Sequence, residues 1–271
     1  MSPPAGASNA GTIVAMYGPE AFGYERIWAP VLHGLSRRLL DRMDLRDAER
    51  VLDLGCGVGM LLPAIAERAP RARVFGIDLT EGMVRRADPT FGRAVMDGQA
   101  LGFAEGAFDA AISAFVLFHL SDPSACLRGV RRSLRPGGTF ACTTWGARTP
   151  GAALSVCEEE LDAHGAGPDP AAAGPRDGEH LVDSAPKMSA ILNDAGFEDI
   201  RAEPLAWERT WRPEDYLAWR AETGPTHRRL RTLGPEDRER CTARIAERFA
   251  SLPVADLVSA AEVVLATARR P

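Results

Sequence analysis

Asp53, Gly55, Gly57 and Gly59 have the clearest chemical potential in this chain. They stand at alternate positions in Arg50-Val51-Leu52-Asp53-Leu54-Gly55-Cys56-Gly57-Val58-Gly59-Met60. Glycines at this spacing let the backbone turn tightly and bring a ligand close with no side chain in the way. Val51, Leu52 and Leu54 read as a short buried strand. The helix expected over about 60–69 directs unpaired N–H groups into the turn. Together these features are suited to a nucleotide-like ligand. A second acid, Asp78, ends the apolar run Val74-Phe75-Gly76-Ile77, 19 residues beyond Gly59. A carboxylate placed there can accept hydrogen bonds from both hydroxyls of a ribose, although it could also cap a helix after Thr80.

Spacing separates two kinds of cofactor. A dinucleotide fingerprint needs G-x-G-x-x-G, which would put its third glycine where Met60 stands. Here that glycine comes one step early, at Gly59, which counts against an NAD-dependent dehydrogenase.

Three further segments follow in order. They are Val95-Met96-Asp97-Gly98-Gln99-Ala100-Leu101-Gly102-Phe103, then Phe108-Asp109-Ala110-Ala111-Ile112-Ser113, then Leu134-Arg135-Pro136-Gly137-Gly138-Thr139-Phe140. With D-x-G-x-G-x-G they resemble the class I S-adenosylmethionine (SAM) methyltransferases, in particular the ubiquinone/menaquinone-type (methyltransferase type 11) group, over about residues 45–146. The resemblance implies a Rossmann-like α/β fold: a seven-stranded, mostly parallel sheet with helices on both faces and its last strand antiparallel. It also implies SAM as cofactor and S-adenosylhomocysteine as product. Asp53 would order the methionine end, Gly55 and Gly57 would line methionine and ribose beside the small Cys56, and Asp78 with Leu79 would meet the ribose. Asp97 would read the adenine amino group, Met96 and Gly98 would flank the base, and Ala114 and Phe115 would lie near the sulfonium.

Methyl transfer from a sulfonium needs mainly alignment and a dry pocket, and a base only where the acceptor must lose a proton. His119, just past the fourth strand, is placed for that work, though it could equally pack beneath the site. Tyr17 could contact the carboxylate or sulfonium edge, and Tyr24 and His33 share its N-terminal segment, which often folds over SAM in this family. Trp145 could form part of an acceptor wall. His180 is a further acceptor candidate, but it sits with His164 and Glu158–Glu160 in a segment that reads as surface. Trp207, Trp211, Tyr216 and Trp219 read as the core of a cap. The run His227-Arg228-Arg229-Leu230-Arg231 reads as a solvated helix face, with acids returning at Glu236 and Asp237.

The elements expected to position these residues are strands at 50–55, 73–78, 92–96, 108–116 and 138–145, with helices at about 60–69, 80–87 and 122–135. Ser121 or Asp122 can cap the last helix, and Pro136-Gly137-Gly138 ends it. Ile27 to Leu45 reads as one or two amphipathic helices. Residues 147–185 match no period and read as a mobile lid or cap, followed by a helix to Phe197, a strand near 199–208, helix over 213–251 and a closing strand at 260–268. The expected organisation is an N-terminal helical lid (1–45), a SAM-binding core (46–146), and cap helices with the last strands (147–271) completing the same domain.

Bulk properties narrow the partners. A chain of 271 residues with a formal net charge of −5 and a single lysine, Lys187, does not resemble a general nucleic-acid binder. No apolar run suggests a membrane span, and Met1 to Thr12 lacks the pattern of a signal peptide and reads as disordered. The five scattered cysteines show no ligand spacing, so no metal is expected and a cytoplasmic setting is. Metal-dependent O-methylation would rest on Asp122 alone. The expected activity is methyl transfer to a small-molecule acceptor at oxygen, nitrogen or carbon, in specialised metabolism, by a monomer or homodimer. The alternatives are a fold relative that holds SAM as a cyclase or binding protein, and a protein or RNA methyltransferase. Ser113-Ala114-Phe115-Val116 lacks the N-P-P-Y-like tetrad of amino-group methylation of nucleobases or glutamine.

Overall fold

Short apolar segments alternating with helices build one mixed sheet. In the computed structural model, which describes residues 10–149, 151–171 and 178–271, seven strands lie in the order β3-β2-β1-β4-β5-β7-β6. They are β1 (Arg50–Leu54), β2 (Arg73–Asp78), β3 (Gly92–Val95), β4 (Phe108–Ala114), β5 (Leu134–Thr149), β6 (Glu198–Thr210) and β7 (Val258–Arg269). The first five pair in parallel, whereas β7 runs antiparallel to both β5 and β6. The expected α/β architecture is therefore present, reversed strand included.

The central strands are buried on both faces, which is why they read as continuous apolar runs. One layer gathers Leu52, Leu54, Ile77, Phe140 and Val264 under α5 (Pro123–Ser133) and α8 (Ala185–Asp194). The other gathers Val51, Val74 and Ile112 under α2 (Ala29–Leu40) and α3 (Leu62–Arg68). Of the two candidate caps for α5, Asp122 serves: its carboxylate accepts from the Ala125 N–H at 2.8 Å.

Several expectations need correction. The N-terminal helical segment starts well before Ile27: α1 (Ala10–Gly23) runs through a π-helical turn, Tyr24–Trp28, into α2. Ala10, Gly11 and Thr12, expected to be disordered, are thus helical, while Met1–Asn9 lie outside the described residues. Pro19 and three glycines blur the amphipathic period of α1, which hid it. The aperiodic stretch 147–185 contains α6 (Ala152–Ala163) and the short α7 (Glu179–Val182); its residues 150 and 172–177 lie outside the described residues. The helical region 213–251 is three helices, α9 (Pro213–Glu222), α10 (Gly224–Leu230) and α11 (Pro235–Ala250), interrupted at Thr223 and at Gly234. Strand β5 overruns its expected bounds of 138–145 at both ends, so Trp145, expected as its last residue, lies within it, paired with Val263 just before a bulge.

The basic run is not a solvated face. Arg228 is buried, donating from Nε and Nη2 to Asp169 at 2.7 and 2.8 Å and from Nη1 to Glu20 at 3.0 Å. Arg229 bridges Glu158 and Asp162 at 2.5 Å each. Glu160, expected at the surface, is also buried and pairs with Arg248 at 3.0 Å. Periodicity finds apolar stripes and is blind to charges that neutralise one another across 200 residues of chain. As expected, the tryptophan cluster is cap core: Trp211 and Tyr216 are buried with Cys241, Ile245 and Phe249.

Candidate functional site

The carboxyl ends of β1, β2 and β4 open on one cleft, where parallel α/β sheets place their ligands. Gly55, Gly57 and Gly59 all take positive φ, at 72°, 55° and 79°. A Cβ on Gly55 would lie 2.1 Å from Val116 Cγ2, and one on Gly59 would lie 2.7 Å from Ala87 Cβ. Only glycine fits either position. The turn is tied to β2, because the N–H groups of Gly55 and Cys56 both donate to the Ile77 carbonyl, at 2.7 and 2.9 Å.

Asp78 serves two ends of the cleft. Its Oδ2 accepts from the Gly57 N–H at 3.0 Å and its Oδ1 from the Thr80 N–H at 2.8 Å. The carboxylate thus stitches the glycine turn to Thr80, the residue that precedes α4 (Glu81–Val84). Burial pushes its pKa up, and the backbone donors oppose that shift. At the end of β3, Asp97 Oδ1 accepts from the Gln99 N–H at 2.8 Å. Gln99 Oε1 then accepts from Ser121 Oγ at 2.9 Å and the Asp122 N–H at 2.7 Å, fixing the loop that follows β4.

The cleft encloses about 850 Å³ including its open mouth. Its lining includes Gly55, Gly57, Asp78, Leu79, Met96, Asp97, Gly98, Ala114, Tyr17, Tyr24, His119 and Trp145. Asp53 and Cys56 lie beside it, in a smaller recess shared with His33 and Tyr24. Asp53 is only 2% exposed, and its Oδ2 and His33 Nδ1 are buried polar atoms without partners among the described residues. Burial and the neighbouring charge of Asp78 push the Asp53 pKa up to about 7. Native proteins rarely leave such atoms unpaired, so this recess has the chemistry of a seat for a ligand's ammonium or amine. Burial also raises the pKa of Cys56, which stays a thiol packed against Gly76.

A second chamber, about 1270 Å³ with its mouth, joins the cleft through a shared wall of Ile13, Tyr17, Tyr24, Phe118, His119 and Trp145. Tyr17 and His119 meet there, with Oη and Nε2 2.9 Å apart. Phe115, held at φ 59°, packs on Trp145 with ring centroids 4.7 Å apart and the planes tilted by 40°. A non-glycine residue in that region is strained, and such strain collects at functional sites. Tyr24, expected against an acceptor, lines the cleft, the chamber and the recess. His180 is not brought to the site: it is exposed, one residue from Glu179, which does line the chamber. Sequence reasoning missed Trp28, Arg148 and Arg220, which complete that chamber. No motif marks them, since each is distant in sequence from the glycine turn. Among the described residues no group of three or more metal-ligating side chains is found.

Sheet order, the reversed strand and a glycine turn flanked by Asp53, Asp78 and Asp97 define the class I SAM-dependent methyltransferase fold. Residues 52–142 match the Methyltransferase domain family, whose cofactor is SAM. The malonyl-[acyl-carrier protein] O-methyltransferase of Geobacter sulfurreducens is 29% identical over 64% of this chain and 65% of its own length. Aklanonic acid methyltransferase DauC of a Streptomyces species is 31% identical over 45% of this chain and 59% of its own. The chain thus spans less than two thirds of the length of these curated relatives. A solved phosphoethanolamine N-methyltransferase 2 from Haemonchus contortus, in complex with S-adenosylhomocysteine, superposes with a TM-score of 0.55. It is 21% identical and covers 93% of this chain and 57% of its own.

Proposed function

We propose that the chain is a SAM-dependent methyltransferase that moves the methyl group to a small-molecule acceptor by in-line displacement. One observation carries the reading: the cofactor cleft opens, across a wall containing Tyr17 and His119, onto a concave chamber walled in part by aromatic rings rather than onto a flat face. When bound, SAM supplies a methyl group on a sulfonium, a good leaving group.

The chain's own residues do the rest. Asp53 and His33 receive the amino-acid end in their recess, Asp78 holds the ribose hydroxyls, and Asp97 with the Gly98 backbone meets the adenine. Tyr24 seals the recess from the chamber. His119 takes the proton that the acceptor gives up, either directly or through the Tyr17 hydroxyl. Alignment in a dry chamber accounts for most of the rate.

No helix among the described residues is long and apolar enough to cross a membrane. A small acceptor of specialised metabolism, handled in the cytoplasm by a monomer or homodimer, fits a chamber of this size. The decisive experiment is titration of purified protein with S-adenosylhomocysteine, followed by transfer of tritiated methyl from SAM to a panel of small acids, amines and phenols. Failure to bind the product would sink the reading. Binding without transfer to any acceptor would favour a cofactor-holding role instead.

A further inference from the structure

The second chamber is apolar along most of its wall, through Ile13, Met16, Trp28, Phe118 and Leu154. Its charges are instructive because nearly all are already neutralised. Arg228 is held by Asp169 and Glu20, and the other oxygen of Glu20 accepts from the Gly224 N–H at 3.0 Å. Arg148 donates to Glu179 at 2.6 Å and lies over the rings of Phe118 and Trp145.

Arg220 is the exception. No carboxylate pairs with it among the described residues; the Cys157 thiol is a side-chain hydrogen-bond neighbour of its guanidinium, and its Nε is buried without a partner. Its guanidinium rests over the Trp219 ring, 5.2 Å from the centroid. Trp219 in turn stacks on Trp28 at 4.4 Å and 8°. A half-buried guanidinium without a counter-ion is costly to keep, and its planar fork of donors matches a carboxylate or phosphate.

We infer that Arg220 is the anion anchor of this chamber, and that the acceptor is a molecule with a flat apolar body and one carboxylate or phosphate group. The inference rests on the methyltransferase reading and deepens it. The anion pairs with Arg220 and the body lies against Trp28. The atom to be methylated reaches the wall that Tyr17 and His119 share with the cofactor cleft. Arg220 lines the chamber and not that cleft, so its part is acceptor selection rather than cofactor binding.

The test uses full-length protein saturated with S-adenosylhomocysteine and three probes of one shape: 2-naphthoate, 2-naphthyl phosphate and neutral 2-naphthamide. Calorimetry should give at least one anion an affinity roughly tenfold or more above that of the amide, the scale of one charge-assisted pair. Which anion binds tighter identifies the carboxylate or the phosphate as the natural group. Arg220→Gln should erase the preference, and Arg220→Lys should retain part of it, with S-adenosylhomocysteine affinity unchanged in both. Equal binding of the amide, binding of neither anion, or an undiminished preference in Arg220→Gln overturns the inference. Absence of S-adenosylhomocysteine binding would instead count against the methyltransferase reading, and the same titration without it would still decide the anchor.

Discussion

The Tyr17 hydroxyl and His119 Nε2 stand 2.9 Å apart although 102 positions separate them in the chain. Tyr17 comes from α1 and His119 from the turn after β4, so the contact forms only when α1 closes over the sheet edge. The two rings also meet edge to face, with centroids 5.3 Å apart. A general base contributes about 10²–10⁴-fold to a proton-requiring step. His119→Ala should therefore lower kcat by at least about 10²-fold, and Tyr17→Phe by a smaller factor. Single-turnover methyl transfer at saturating SAM separates this from weaker cofactor binding. Unchanged turnover in His119→Ala would remove it as the base.

Asp53 gives a pH signature of opposite sign for stability and for binding. Its folded-state pKa of about 7 lies above the unfolded value near 4. The folded protein therefore holds a proton that the unfolded chain has released, and the stability of the ligand-free protein falls as pH rises from about 4 to about 7. SAM binding should move the other way, because the ionised carboxylate attracts the ammonium: about tenfold weaker at pH 6 than at pH 8. Asp53→Asn should raise the ligand-free melting temperature at pH 8 by at least about 2–4 °C while reducing SAM affinity sharply. Scanning calorimetry and product titration check the two halves.

What the sequence disclosed and what it hid follow from the range over which each signal acts. Gly55, Gly57, Asp78 and Asp97 lie at strand ends, where apolar runs, turn residues and acids fall within a few positions of one another, so their convergence on one cleft was legible. The second chamber was not. Glu20, Arg148, Arg220 and Arg228 come from α1, β5, α9 and α10, and each looks in its own window like ordinary surface charge. Tyr17 and His119 were singled out separately by position, but their contact depends on how α1 docks. The strands of the second half were readable as strands; the bulge that aims Trp145 was not.

Gly55 offers a steric test of the turn. Gly55→Ala places a methyl 2.1 Å from Val116 Cγ2 at φ 72°, so two penalties combine: a clash and a left-handed alanine costing about 1 kcal/mol. Loss of S-adenosylhomocysteine binding is expected, with a lower melting temperature. Adding Val116→Ala should recover part of the stability by relieving the clash, and little of the binding, since the backbone remains strained. Wild-type affinity in Gly55→Ala would show that the turn does not approach the ligand.

The triad Glu20–Arg228–Asp169 fastens α1 to the cap, with Arg228 about 9% exposed. Removing one member of a buried ionic set strands the others and costs about 3–5 kcal/mol. For a chain of this size that corresponds to a melting temperature lower by roughly 10 °C in Arg228→Ala. The effect should reach beyond stability, because α1 carries Tyr17 into the shared wall and packs Gly18 near Thr80 beside the cleft. Arg228→Ala is therefore expected to weaken S-adenosylhomocysteine binding severalfold and to expose α1 to limited proteolysis. Saturating product should restore part of the protection, since binding favours the closed arrangement. A melting temperature within about 2 °C of wild type, a change under 1 kcal/mol on this scale, would show that the triad's attraction only balances the desolvation of its charges.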